Sequence, residues 1–133
     1  MLHMLDTDIA SYIIKRRSPG VEAKLSRTDP SQVCVSAITS AELLYGLKRL
    51  PPEHRLHQGV RQFLKIVRVL AWDEEAASFY AEIRHRLVTA GEPIGELDMM
   101  IAAHSLAVTA TLVTNNIRHY ERIPAPLILE NWA

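Results

Sequence analysis

Three acidic residues stand where a charge is expensive. Asp6 ends the stretch Met1-Leu2-His3-Met4-Leu5, Glu42 precedes Leu43-Leu44, and Asp98 abuts Met99-Met100-Ile101. A carboxylate held near like charges and away from water must protonate or be compensated. A hard divalent cation is the simplest compensation, since magnesium takes oxygen ligands, binds through one or two carboxylates and keeps several waters. Such an ion can polarise a phosphoryl oxygen and generate a hydroxide nucleophile, so the chemistry best served is hydrolysis of a phosphodiester. Position alone allows a plainer reading, because Asp6, Asp8 and Glu96 each stand where an acid caps a helix. Acids at strand ends can also be solvated loop charges. Asp98 resists both readings, being pressed against an apolar helix body.

These residues come together only if the right elements carry them. Met1 to Leu5 reads as a first strand breaking into Asp6-Thr7-Asp8, and a helix then runs from about Thr7 to Lys15. Ser18-Pro19 caps and starts a second helix that stops near Asp29-Pro30. Gln32 to Ser36 is a second strand, and Ser36 or Thr39 caps a third helix offering Ile38, Leu43, Leu44 and Leu47 to the core. Pro51-Pro52 ends it. A helix from Glu53 to Val67, a strand from Arg68 to Leu70 with Val69 pointing inward, and a long helix from Asp73 to about Thr89 follow. After the loop Gly91-Glu92-Pro93-Ile94-Gly95, Glu96 or Leu97 opens a helix too apolar all round to lie on a surface. Thr111 to Thr114 is a strand ending in Asn115-Asn116, and Leu127-Ile128-Leu129 makes an edge strand. Alternating strands and helices imply an α/β fold with a mostly parallel sheet covered on both faces. In a parallel sheet Asp6, Glu42, Asp98 and Thr114 to Asn116 share one edge, outside the carboxyl ends of the strands, where such folds bind ligands.

The 133 residues suit one domain, 1–133, and nearly half of them are apolar, which excludes disorder. Fifteen basic residues balance fifteen acids, so the chain is no bulk polycation, though a local patch can still hold a polyanion. One cysteine, Cys34, excludes an internal disulfide framework and a multi-thiolate zinc site, and its apolar strand setting reads as a buried, inert thiol. The histidines lack neighbouring ligands at zinc-site spacing. No apolar run reaches the length of a membrane helix and the N-terminus lacks a signal pattern, so a soluble, cytoplasmic protein of a reducing compartment is expected. Cations recur at Lys15-Arg16-Arg17, Lys48-Arg49, Arg55 to Arg68, Arg84-His85-Arg86 and Arg118-His119, and residues 54 to 68 contain no acid. Each cluster alone is commonly a solvated helix face. Beside an acidic metal pocket, such groups would hold a phosphate backbone. Tyr12, Tyr45 and Tyr120 are the candidate platforms for bases.

Four stretches in order resemble the PIN-domain ribonucleases and, within them, the VapC toxins of bacterial toxin–antitoxin pairs. They are Met4-Leu5-Asp6-Thr7-Asp8, Val35-Ser36 through Ala41-Glu42-Leu43-Leu44-Tyr45-Gly46, Gly95-Glu96-Leu97-Asp98-Met99-Met100-Ile101-Ala102-Ala103-His104 and Leu112-Val113-Thr114-Asn115-Asn116, with Glu130-Asn131-Trp132 closing the chain. The resemblance implies a PIN-like three-layer α/β/α sandwich around a sheet of four to five strands. It implies an endoribonuclease dependent on Mg2+ or Mn2+, with Asp6, Glu42 and Asp98 as catalytic carboxylates and metal ligands. In many PIN domains a fourth acid follows the last catalytic strand; here that position is Asn116, which can orient a water but adds no charge, with Glu96 or Asp8 as supplements. Thr7 and Thr114 would support the carboxylates by hydrogen bonding. The substrate implied is structured RNA, including tRNA and, for some similar toxins, initiator tRNA. Also implied are a homodimer, a cognate VapB-type antitoxin that obstructs the site, and a higher toxin–antitoxin assembly, with Tyr12, Ile13, Leu43 and Leu47 as antitoxin contacts. Two rivals share some residues. A haloacid-dehalogenase-like phosphatase would use Asp6, Asp8 and Thr114 but needs a late lysine, and the last lysine here is Lys65. A PIN-like module that only binds RNA or protein would have no use for acids facing phosphates.

Overall fold

The computed structural model describes residues 1–133. Its five strands form one sheet in the order β3-β2-β1-β4-β5, and every pairing is parallel. The strands are β1 (His3–Leu5), β2 (Val33–Ser36), β3 (Arg68–Leu70), β4 (Thr111–Val113) and β5 (Leu129–Glu130). Between them run α1 (Thr7–Lys15), α2 (Pro19–Ser26), α3 (Ala37–Lys48), α4 (Leu56–Ile66), α5 (Glu74–Thr89), α6 (Glu96–Ala107) and the short α7 (Ile117–Tyr120). From β1 the chain builds outward through β2 to β3, then returns to the other side of β1 for β4 and β5. The switch point therefore lies between β1 and β4, and a ligand crevice is expected at their carboxyl ends. Asp6 closes that seam, its amide donating to the Val113 carbonyl at 3.0 Å.

The strands are short and buried, and alternation decides which layer each side chain feeds. Met4, Cys34 and Leu112 point to one face, where Ile83 and Leu87 of α5 and Met99, Ile101, Ala102 and Ala103 of α6 cover them. Leu5, Val33, Val35 and Val113 point to the other, against Ile9 of α1, Val21 of α2 and Trp132, with Phe63 of α4 packed alongside. The result is a three-layer α/β/α sandwich. The apolar character of α6 follows from its place: Met99 and every residue from Ile101 through Ser105 are buried. Cys34 is fully buried and its thiol is pushed up to about 11 by that burial, which keeps it inert.

The structure departs from expectation at several places. Val69 does not point inward but is 41% exposed, because β3 is the edge strand beyond β2. Leu44 is 39% exposed, so α3 seats Leu47 in the interior instead. Ser36, not Thr39, caps α3, accepting from the Ile38 amide at 3.1 Å. The last strand lies at Leu129–Glu130, displaced toward the C-terminus from Leu127-Ile128-Leu129. A one-turn helix, α7, follows Asn116 where only a loop was expected.

Candidate active site

Asp6 is the N-cap of α1, its Oδ1 accepting from the Ile9 amide at 2.9 Å. The plain reading of this residue is therefore correct as far as it goes. Capping does not explain the burial, however: Asp6 is only 5% exposed. That burial pushes its carboxyl up to about 6, against the opposing effect of the Thr114 hydroxyl and the Ile9 amide, and the charges of Asp8 and Asp98 push the same way. No Lys, Arg or His pairs with Asp6, Asp8 or Glu42. A cap on a solvent-exposed helix end would carry no such burden.

The other acids arrive by separate routes. Glu42, on the second turn of α3, is reached across the sheet edge by Thr7, whose Oγ1 donates to Oε1 at 2.6 Å and lies 3.2 Å from the Thr39 hydroxyl. Asp98, in the first turn of α6, is held on both oxygens. Its Oδ2 lies 2.9 Å from Nε2 of His119, and its Oδ1 accepts from the Tyr120 hydroxyl at 3.2 Å. Burial and the nearby charges of Asp98, Asp6 and Asp8 raise the Tyr120 hydroxyl far above its ordinary range, so it stays a donor. Sequence reasoning missed His119 and Tyr120 as partners of Asp98, and it offered Tyr120 as a base platform, which its burial excludes. Their only local signal was adjacency to Asn115-Asn116.

Asn116 lies exposed at the mouth of the same edge, its backbone amide donating to Thr114 Oγ1 at 2.9 Å. Asn115 is committed elsewhere, bridging Tyr12 and Asn131. Of the two supplementary acids, Glu96 is spent: its Oε1 accepts from Tyr80 at 2.9 Å and from Arg84 at 3.0 Å. Asp8 remains exposed and unpaired. His104 is buried far from any ligand set, its Nδ1 lying 2.7 Å from the Ser36 hydroxyl, which ties α6 to the cap of α3.

Does this donor set suit a divalent cation? Its charge does, since a buried carboxylate lies under the influence of two more and has no basic partner. Its present arrangement is looser, because no three His, Cys, Asp or Glu side chains converge on a common point. Glu42 is turned to Thr7 and Asp98 to His119 and Tyr120. A magnesium site needs no such convergence, as one or two carboxylates with several waters suffice. The residues therefore fit a hydrated hard cation, not a closed all-protein cage.

Acids gathered from β1, α3 and α6 at the switch point of a five-stranded parallel sheet are the mark of one class, and the PIN domain profile matches residues 3–125. The chain belongs to the PIN-domain family. It is 35% identical to Ribonuclease VapC2 of Rickettsia felis over 133 residues, covering 99% of this chain and 98% of that protein. It is 38% identical to the tRNA(fMet)-specific endonuclease VapC of Salmonella typhimurium over 130 residues, 97% of this chain and 96% of that one. Among solved structures, that of DNA-bound VapBC from Salmonella typhimurium matches with a TM-score of 0.91 at 35% identity, covering 100% of both chains. VapBC2 from Rickettsia felis, bound to a DNA fragment from its promoter, gives a TM-score of 0.90 at 34% identity over 100% of both chains. These relatives place the chain among the VapC ribonucleases, and the phosphatase reading falls away. No helix of the chain is long and apolar enough to cross a membrane.

Proposed function

We propose that this chain is a metal-dependent endoribonuclease toxin, folded as a single PIN unit over residues 1–133 and acting in the cytoplasm. The observation that carries the reading is Asp6: a buried carboxylate at the switch point, raised to about 6 by burial and by neighbouring acids, in a chain that matches VapC ribonucleases along its length. Asp6, Glu42 and Asp98 would hold Mg2+ or Mn2+, which when bound supplies a Lewis acid for the phosphoryl oxygen and an activated water. The chain's own groups do the rest. Thr7 keeps the Glu42 carboxylate at the rim of the site, and His119 and Tyr120 fix the Asp98 carboxylate. Asp8 adds unpaired negative charge, and the exposed Asn116 offers a neutral oxygen to orient a water.

The substrate proposed is RNA, specifically tRNA and including initiator tRNA, as the name of the Salmonella typhimurium relative supports. The solved VapBC complexes support a cognate VapB-type antitoxin as the inhibitor, with a toxin homodimer inside a larger assembly. Tyr12, Ile13 and Leu43, all half-buried, remain available as antitoxin contacts, whereas Leu47 lies in the interior. Incubating the purified chain with total tRNA, with and without magnesium, and mapping the new ends tests the proposal. Magnesium-dependent cuts at one site in one tRNA are expected. A protein that retards tRNA without shortening it would be a binding module instead.

A further inference from the structure

Beside the acid-lined hollow lies a second one of opposite sign. The first, about 420 Å³, includes Asp8 and Glu42 in its wall. The second, about 460 Å³, is bounded by Lys15, Arg16, Arg17, His54 and Arg55, and no acid contributes to it. The two share Ile14, Lys15 and Leu56, so they adjoin along one wall. Lys15, Arg16, Arg17 and Arg55 are exposed, and none forms an ion pair. Elsewhere the pattern differs: Arg84 and Arg86 on α5 are matched to Glu96 and Glu82 at 3.0 and 2.9 Å. In a chain whose formal charge sums to zero, this is a local concentration of unspent cations.

The backbone is shaped for it as well. Arg16 caps α1 in the left-handed conformation with φ of 53°, a place that favours glycine. Its amide and that of Arg17 close the helix end onto Ile13 and Tyr12 at 3.3 and 3.0 Å, folding the basic run back over the start of α4. Gly59 permits the close approach of the two helices, since a Cβ there would stand 3.3 Å from Ile14 Cγ2. Nδ1 of His54 accepts from the Leu56 amide at 3.2 Å, which leaves Nε2 to carry a proton as a further donor. Arginine forks and a neutral imidazole donor are groups suited to phosphate oxygens.

We propose that this cationic hollow binds a backbone phosphate of the RNA strand, one adjacent to the phosphodiester lying at the acid-lined hollow. The inference rests on the ribonuclease reading and adds to it a positioning site, with Arg16, Arg17 and Arg55 as its principal residues. The charge favours a polyanion, and continuity with the acidic hollow favours the strand being cut over a separate ligand. Contacts of this kind set register without reading sequence.

The test is anisotropy of a short fluorescent RNA oligonucleotide in EDTA, where cleavage is suppressed, titrated at several salt concentrations. The double variant Arg17→Gln with Arg55→Gln should bind roughly tenfold more weakly at low salt, and its salt slope should fall by about 2, one for each lost phosphate contact. Arg16→Gly separates binding from folding, since it should raise the melting temperature while weakening RNA binding. Arg86→Gln removes an already paired charge and should leave affinity and slope unchanged. In cleavage assays the double variant should raise KM with little change in kcat. Unchanged RNA affinity and slope in both pocket variants would overturn the proposal. So would unchanged RNA affinity together with lost affinity for an acidic antitoxin segment. If the wild-type chain binds RNA through this hollow yet never cuts it with any divalent ion, the pocket stands and the nuclease reading falls. If it cuts with unaltered KM in the variants, the reverse holds.

Discussion

The two adjoining hollows differ in what their charges cost the fold. In the cationic one, Lys15, Arg16, Arg17 and Arg55 are exposed, and water solvates them fully. In the acidic one, Asp6 is buried and its carboxyl is displaced to about 6, so the folded chain resists the ionised form it needs for chemistry. The difference teaches where function is stored. Phosphate positioning draws on charges that the fold carries without strain, whereas catalysis draws on a charge that opposes folding and awaits a counter-ion. Substitutions in the two hollows should therefore differ in size and also in sign.

The largest effect is expected at Asp6. Asp6→Asn keeps an N-cap of comparable quality but removes the charge. Cleavage should fall by roughly 10² to 10⁴, the range for loss of a central catalytic group. Stability at neutral pH should rise. An aspartate titrating at about 6 when folded, against an ordinary 3.8, contributes stability that is complete below about pH 4 and is lost as pH climbs through 6. The shift corresponds to about 3 kcal/mol at most. Urea denaturation should show Asp6→Asn more stable than wild type at pH 7.5 and equal to it near pH 4. Added magnesium should narrow the gap at pH 7.5 by stabilising only the wild type. A variant that loses stability at both pH values would make Asp6 a structural cap and nothing more.

His119 comes next. It acts through Asp98, so it is a positioning residue, and His119→Ala should lower kcat roughly 10- to 100-fold, as loss of a metal ligand's partner does. KM for RNA should hardly move. His119→Gln retains a donor toward Oδ2 and should recover part of the loss, which a purely structural role would not predict. Equal losses in the two variants would remove His119 from the site.

Much of this architecture was legible because it is written locally. An apolar run stopping at Asp6, Ser36 before a helix, and a helix body with no polar face at Met99 to Ala103 each announce their place within a few residues. The errors fell where the outcome depended on partners far away. Val69 belongs to a strand of three residues, too short for alternation to show its face, and its exposure follows from β3 being an edge. The α7 turn occupies four residues and gives no period to read. The grip of His119 and Tyr120 on Asp98 spans 21 and 22 positions, and that of Thr7 on Glu42 spans 35. The acids could be named from their awkwardness, but the groups that orient them could not, since nothing awkward marks a tyrosine, a threonine or a histidine in the sequence.

The smallest effect is expected at Asn116, and it bears directly on the contrast between the hollows. Asn116 stands exposed at the mouth of the acidic hollow, next to Thr114, whose hydroxyl holds the Asp6 carboxyl down against burial. Asn116→Asp adds a fourth acid on this edge without burying it. Because the new charge sits in water, its pull on Asp6 is screened and only a modest further rise in that carboxyl is expected. Manganese affinity, measured by calorimetry, should strengthen by a few-fold, since the ion gains one solvated anion at its rim. RNA affinity in EDTA should weaken slightly, because the same charge repels the strand. The two shifts oppose each other, so kcat/KM at saturating metal should change little. A large gain in activity would mean that the acidic hollow is short of charge, not of order, and that three carboxylates are too few for it.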